Sequence, residues 1–286
     1  MIAAAAAAAA GFGPSSSNAR ALNAARRPAI LLTGKSSGAT LRPGTIDGAY
    51  RAVGPPGKLP VSDVTIDGLQ AHVIRDCIRI NGTRIIIRNV HCWMLPPPQR
   101  TMHELPEGLH IKSGDHIRIE DSSFEDFQMS LDAAVYWNGD GVAVERGVSD
   151  ISFRNVSANN NSDAGFDIKS PVSMDGVSAS GNCRNFRFWS DADIGTIRIG
   201  DVTRRGGSSA CAGIWVGGSP GQTGPSIRIR NLIVNASKPL KIVAVQKGNA
   251  SIRIDRCTIR APRGSELLKM QKGLGSAELG TGCKVL

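Results

Sequence analysis

The sequence predicts an all-β solenoid, a single-stranded coil of short parallel strands with about eight turns. Three observations predict it. An apolar-x-apolar motif followed by two polar or small residues recurs along most of the chain, from Val64 to Cys257. A second apolar pair precedes the motif in nearly every repeat. The composition favours turns: 33 of 286 residues are Gly and only 5% are aromatic, which leans away from a helical bundle. With 41% apolar and 20% charged residues the chain has enough apolar surface to build a core.

The N-terminal 21 residues read as a truncated signal peptide. Residues 3–10 are consecutive alanines, followed by Gly11-Phe12-Gly13-Pro14 and the small-x-small site Ala19-Arg20-Ala21. Only the basic leader segment is missing. A periplasmic or secreted protein beginning near Leu22 is therefore expected. Residues 22–60 are expected to cap the solenoid, 61–260 to form it, and 261–286 to cap the other end. The stretch Ser265-Glu266-Leu267-Leu268-Lys269-Met270 reads as a short capping helix. No internal stretch is long and apolar enough for a membrane span.

The repeats begin at Val64, Ile85, Ile117, Ile151, Val172, Ile197, Ile227 and Ile252, at spacings of 21, 32, 34, 21, 25, 30 and 25. A base period near the shortest of these, with insertions, indicates a solenoid. Strict alternation inside each motif indicates a strand with one face on the core. The upstream strands start at Ile78, Leu109, Val142, Phe166, Phe186, Ile214 and Leu240. Short strands separated by Asn, Asp and Gly in each turn are the pattern of a parallel β-helix, whose rungs stack at about 4.8 Å.

On these motifs the chain resembles the right-handed parallel β-helix superfamily with the pectin-lyase-like fold. It is more narrowly similar to secreted bacterial β-helix repeat proteins over about residues 61–260. The right hand of the coil is implied by the resemblance. So is a carbohydrate-active role, since many members act on polysaccharides.

Stacking the upstream strands builds a charged ladder on one outer face. The first outward positions are Arg79, His110, Ala143, Asp167, Arg187, Trp215 and Lys241, and two residues later stand Lys112, Glu145, Lys169 and Trp189. Two long insertions, 91–107 and 125–139, precede strands of this ladder and contain Trp93, Pro96, Pro97, Pro98, His103, Tyr136 and Trp137. Such loops can wall a cleft, and aromatics within them can stack on sugars. The competing reading is a set of surface ion pairs worth about 0.2–1 kcal/mol each.

Three functions follow. The first is a polysaccharide lyase acting by β-elimination on a uronate-containing polymer. Arg187, Lys112 and Lys169 would neutralise the carboxylate, and His110 or Lys169 would take the proton. Arg79, Trp137, Trp189 and Trp215 would bind substrate. Calcium is a possible neutraliser, with Asp140 and Asp163 as oxygen ligands. The second is a glycoside hydrolase using Glu145 and Asp167, whose kind needs carboxyls about 5–9.5 Å apart. Asn138-Gly139-Asp140-Gly141 resembles the Asn-Thr-Asp-Gly segment of the polygalacturonase family, but the partner of Asp163 is Ala164 and the downstream His and Arg-x-Lys segments are missing. The third is a non-catalytic polysaccharide-binding surface protein. The formal charge of +10 suits an acidic polysaccharide. No nucleic-acid motif is present, so nucleic acid is not an expected partner.

Of the six cysteines, Cys183 and Cys211 stand three residues before Phe186 and Ile214, at equivalent places on adjacent turns. One rung of separation falls within disulfide range, so an oxidising compartment would allow this pair to bond, two stacked thiols being the competing reading. Cys257 reads as core, and Cys77, Cys92 and Cys283 have no evident partner. Asn159, Asn160, Asn161 and Asn182 read as stacked turn residues.

Overall fold

The computed structural model describes residues 27–55, 60–95, 105–130, 137–206, 210–218, 223–246, 249–270 and 275–286. The proposed signal peptide, Pro96, Pro97, Pro98, His103 and Tyr136 lie outside them. The fold is an all-β parallel β-helix. Its strands form one continuous 18-stranded sheet whose registered pairings are all parallel, and the one helical turn among the described residues is Gly34–Ser36. No helix among the described residues is long and apolar enough to cross a membrane.

Each turn lays down three faces. On the first, Ile30, Val53, Ile78, Leu109, Val142, Phe166, Phe186, Ile214, Val243 and Leu268 stand one above another. That column has ten rungs, against the eight expected. The second face stacks Ile87, Ile119, Phe153, Met174, Ile194, Ile229, Ile254 and Leu279. The third stacks Cys92, Phe124, Ala158, Ala179, Ile199, Val234, Ile259 and Val285. Below the last rung, where Leu268, Leu279 and Val285 are exposed, these columns converge on one apolar core, in which Phe166 and Phe186 lie parallel with centroids 4.9 Å apart.

The polar pair inside the repeat motif is a corner. Asn89, Asp121, Asn155 and Gly176 have φ of 53°, 48°, 53° and 68° on successive turns. Only Gly, Asn and Asp adopt this left-handed backbone at low cost, so the composition of the motif follows from the bend between the second and third faces. At the corner between the third and first faces the chains crowd. A Cβ on Gly108 would lie 2.3 Å from the Gly141 carbonyl oxygen, so only glycine fits there. Beside this corner Asn161 and Asn182 are fully buried and bonded to backbone. Asn182 Oδ1 accepts from Asn161 N at 2.7 Å and its Nδ2 donates to Ala158 O at 2.9 Å.

Four expectations are corrected. Strands at Pro28–Leu31 and Gly44–Gly54, and at Glu266–Met270 and Gly275–Val285, continue the solenoid into both stretches expected as caps. Residues 265–270 are not a helix, because Glu266–Met270 pairs with Lys241–Val245. Ile197-Arg198-Ile199 belongs to the third face, and Ala192 and Ile194 occupy the second-face position in that turn. Val243, not Leu240, pairs with Ile214, so Ala244 rather than Lys241 follows Trp215 in the outer row.

All six cysteines are bonded: Cys77–Cys92, Cys183–Cys211 and Cys257–Cys283. The first joins the first and third faces within one turn. The third links directly paired positions on the last two turns.

Candidate functional site

The first face presents an outer row of Arg79, His110, Ala143, Asp167, Arg187 and Trp215 in unbroken register. A preceding row runs Asp76, Glu107, Asp140. Stacked rungs bring these side chains into one chain of charges. His110 Nδ1 pairs with Glu107, and its Nε2 lies 3.5 Å from Glu145 Oε1. Lys169 Nζ sits 2.9 Å from Glu145 Oε1 and 3.3 Å from Asp167 Oδ2. Arg187 grips Asp167 through Nε and Nη2, both at 2.7 Å, and donates from Nη1 to Asp163 Oδ2 at 2.6 Å. Its Nη2 is also 3.5 Å from Asp140 Oδ2. Arg184 closes the chain on the other oxygen of Asp163.

This network is not a set of surface pairs. Asp140, Asp163 and Asp167 are each 1% exposed, Arg187 5% and His110 7%. Its accessible edge is Glu145 and Lys169, whose side chains are 31% and 25% exposed. Burial and pairing set the protonation states in opposite directions. Contact with His110, then Lys169, outweighs burial at Glu145 and brings its pKa down to about 2. Burial pushes Asp140 well above the usual carboxylate range. Arg187 opposes that push, while Asp167 and Asp163 reinforce it. Burial pulls His110 down, but Glu107 and Glu145 overcome it and leave the imidazole above its ordinary 6.5. Lys169 is likewise pulled down by burial and raised on balance by Asp167 and Glu145.

These shifts predict a pH profile of stability. The depressed Glu145 contributes fully above its unfolded 4.5, and the contribution is lost as pH falls towards 2. The raised His110 contributes fully below 6.5 and loses its contribution as pH rises through the folded value. Asp140, also raised, works against the fold as pH climbs above its unfolded 3.8. Thermal midpoints should therefore rise from pH 2 towards 4.5 and fall as pH climbs further, the fall steepening above 6.5 in the wild type but not in His110→Gln. A wild-type midpoint that stays flat through neutral pH would count against the assignment.

The structure brings His110, Glu145, Asp167, Lys169, Arg187, Asp140 and Asp163 together. Trp189 joins them by donating from Nε1 to Asp167 Oδ1 at 2.9 Å. Trp215 is buried against Ala212 and Ala244, 4.7 Å from Trp189, under the Arg184 guanidinium. Trp137 fastens its loop inward, donating to Ser162 O at 3.2 Å with its ring against Gly206. Trp93 stands on the third face, stacked with His72 and His91, and donates to Glu125. Arg79 and Lys112 are half-buried, and neither forms an ion pair among the described residues.

The oxygens of Asp140 and Asp163 face Arg187, Arg184 and the Ala164 N–H, and no group of three or more His, Cys, Asp or Glu among the described residues could hold a metal ion. Sequence reasoning missed Glu107 and Arg184. Both stand two residues before an inward residue, Leu109 and Phe186, as Asp76 and Asp140 do, where alternation alone would place them inside; the corner at the Gly108 column turns this row towards the outer charges, so strand alternation gave no signal for it. No protein-family model, curated protein or solved structure matches this chain.

Proposed function

We propose that this protein is a carbohydrate-active β-helix that binds an acidic, uronate-containing polysaccharide along its first face and cleaves it by β-elimination. One observation carries the reading: two first-face cations without a carboxylate partner among the described residues, Arg79 and Lys112, flank His110. Arg79 is its register partner, and Lys112 follows two residues later on the same strand. Arg187 and Lys169 are consumed by internal carboxylates, so neutralising the substrate carboxylate falls to Arg79 and Lys112. Neutral His110 would then take the C5 proton as the C4–O bond breaks and the C4=C5 double bond forms. The resulting imidazolium or the Lys169 ammonium would protonate the leaving oxygen. Lys169 itself is held protonated and makes a poor base. Three disulfides and the signal-like N-terminus suit a periplasmic or secreted protein.

Hydrolysis is the second reading. Glu145 and Asp167 both lie within 3.3 Å of Lys169 Nζ, so the facing oxygens are no more than about 6 Å apart, a bound that admits a retaining pair at about 5–5.5 Å. The test is an activity screen on alginate, pectate, hyaluronan, gellan-type and neutral glycans, with calcium and with chelator. Unsaturated-uronate absorbance should grow on one acidic polymer and rise with pH through the His110 titration. His110→Ala should lose about 100-fold in rate. Reducing ends without absorbance, abolished by Glu145→Gln, would replace elimination with hydrolysis. No product on any polymer would overturn the enzymatic reading.

A further inference from the structure

The formal charge is unevenly spread. Residues 198–263 hold 12 Lys and Arg against Asp201 and Asp255, a net of +10, which equals that of the whole chain. The two acids are already engaged. Asp255 pairs with Arg228 and Arg253 on the second face. Asp201 accepts from Ser237 N at 2.7 Å and Lys238 N at 3.1 Å, fixing the turn that presents Lys238. Among the cations that remain exposed without an ion pair among the described residues are Arg198, Lys238, Arg260 and Arg263. They stand on or just beyond the third face of consecutive late turns, where Asn235 pairs with Arg260 and the chains run on to Lys238 and Arg263. Beside them, at the corner leading into the first face, lies a groove of about 300 Å³ between Arg204, Lys241, Pro239 and Leu240, with Glu266 its sole acid. The Cys183–Cys211 disulfide borders it through Cys211 and ties this corner to the rung below.

We propose that this corner is a binding site for anionic polysaccharide, distinct from the first-face network. Cations repeating along rungs about 4.8 Å apart match a polymer with regularly spaced carboxylates or sulfates. The groove offers Pro239 and Leu240 as apolar walls for a sugar ring, and its lining holds no aromatic platform on which nucleic-acid bases would stack. The inference shares the polymer class of the proposed function but does not need the first face to be catalytic.

The experiment measures affinity of the full-length protein for polygalacturonate, with neutral dextran and single- and double-stranded DNA as comparators at fixed salt. The variant Lys238→Glu/Arg260→Glu/Arg263→Glu is compared with Lys35→Glu/Arg42→Glu/Arg146→Glu, which makes the same change in net charge at exposed cations elsewhere. The first should weaken binding at least about tenfold and the second less than about twofold, since screening confines the effect to nearby charges. Equal losses would reduce the corner to a general charge effect, and DNA binding as tight as polygalacturonate would assign it to nucleic acid. Either result overturns the proposal. His110→Ala separates the two readings: it should slow cleavage about 100-fold and leave the difference in affinity between the two triple variants in place.

Discussion

Arg187→Leu is expected to destabilise the fold by about 3–5 kcal/mol. The guanidinium is 5% exposed and its donors are spent on Asp167, Asp163 and Asp140, each 1% exposed. Removing it leaves buried carboxylates facing one another in a poorly solvated space. Their mutual repulsion and lost hydrogen bonds, more than the lost attraction, make up the cost. Arg187→Lys should recover only part of the stability, because one ammonium cannot fork between Asp167 and Asp163 as the planar guanidinium does. Adding Asp163→Asn and Asp167→Asn to Arg187→Leu should recover more than the lysine does, since it removes the stranded charge. The deficit of Arg187→Leu should also narrow as pH is lowered and the carboxylates take up protons. Guanidinium unfolding midpoints across this series are the measurement. A loss under about 1 kcal/mol for Arg187→Leu would mean that water or rearrangement already compensates the acids.

That network was partly legible because alternation within a strand is a hard constraint. Once Phe166 and Phe186 are placed inward, Asp167 and Arg187 must point out on adjacent rungs, and they do. Their burial was not legible, because alternation separates inside from outside without saying what covers the outer face. The register slip at Leu240 has a local cause. In Leu240-Lys241-Ile242-Val243-Ala244-Val245 both Leu240 and Ile242 are buried, at 5% and 2%, although neither is the inward partner of Ile214. They sit at the corner, where the chain bends and alternation fails, and the apolar run gives no sign of where the bend ends. The turn at Ala192 failed for a related reason: Ala192 is small, so the more apolar Ile197-Arg198-Ile199 took its place in the pattern. At 265–270 good helix formers are overruled by pairing with an existing sheet edge. The Cys77–Cys92 bridge was out of reach because it crosses the core within a turn, whereas stacking arguments relate only residues on different turns.

Reducing the three disulfides should lower the unfolding free energy by several kcal/mol and change where the molecule opens. The bridges span 15, 28 and 26 residues, and closing loops of such lengths stabilises by roughly 3 kcal/mol each through the unfolded chain, less any that the reduced state regains. Their positions make the losses unequal in kind. In a solenoid each turn is stabilised by its neighbours, and the last turn has only one. Cys257–Cys283 joins the strand Asn249–Arg260 to Gly275–Val285, the final strand of the described chain, so Cys257→Ser/Cys283→Ser should fray that end first. Hydrogen exchange should rise over 275–285 while the rungs around Phe166 and Phe186 stay protected. Cys77 and Cys92 are both fully buried, and their bridge ties two faces of one interior turn. Cys77→Ala/Cys92→Ala should therefore lower the global midpoint without localised fraying. Coincident denaturation curves with and without reductant, or six titratable thiols in protein purified without reductant, would show that the bridges do not hold the native coil. Uniform exchange in the Cys257→Ser/Cys283→Ser protein would show instead that the ends unfold together with the middle.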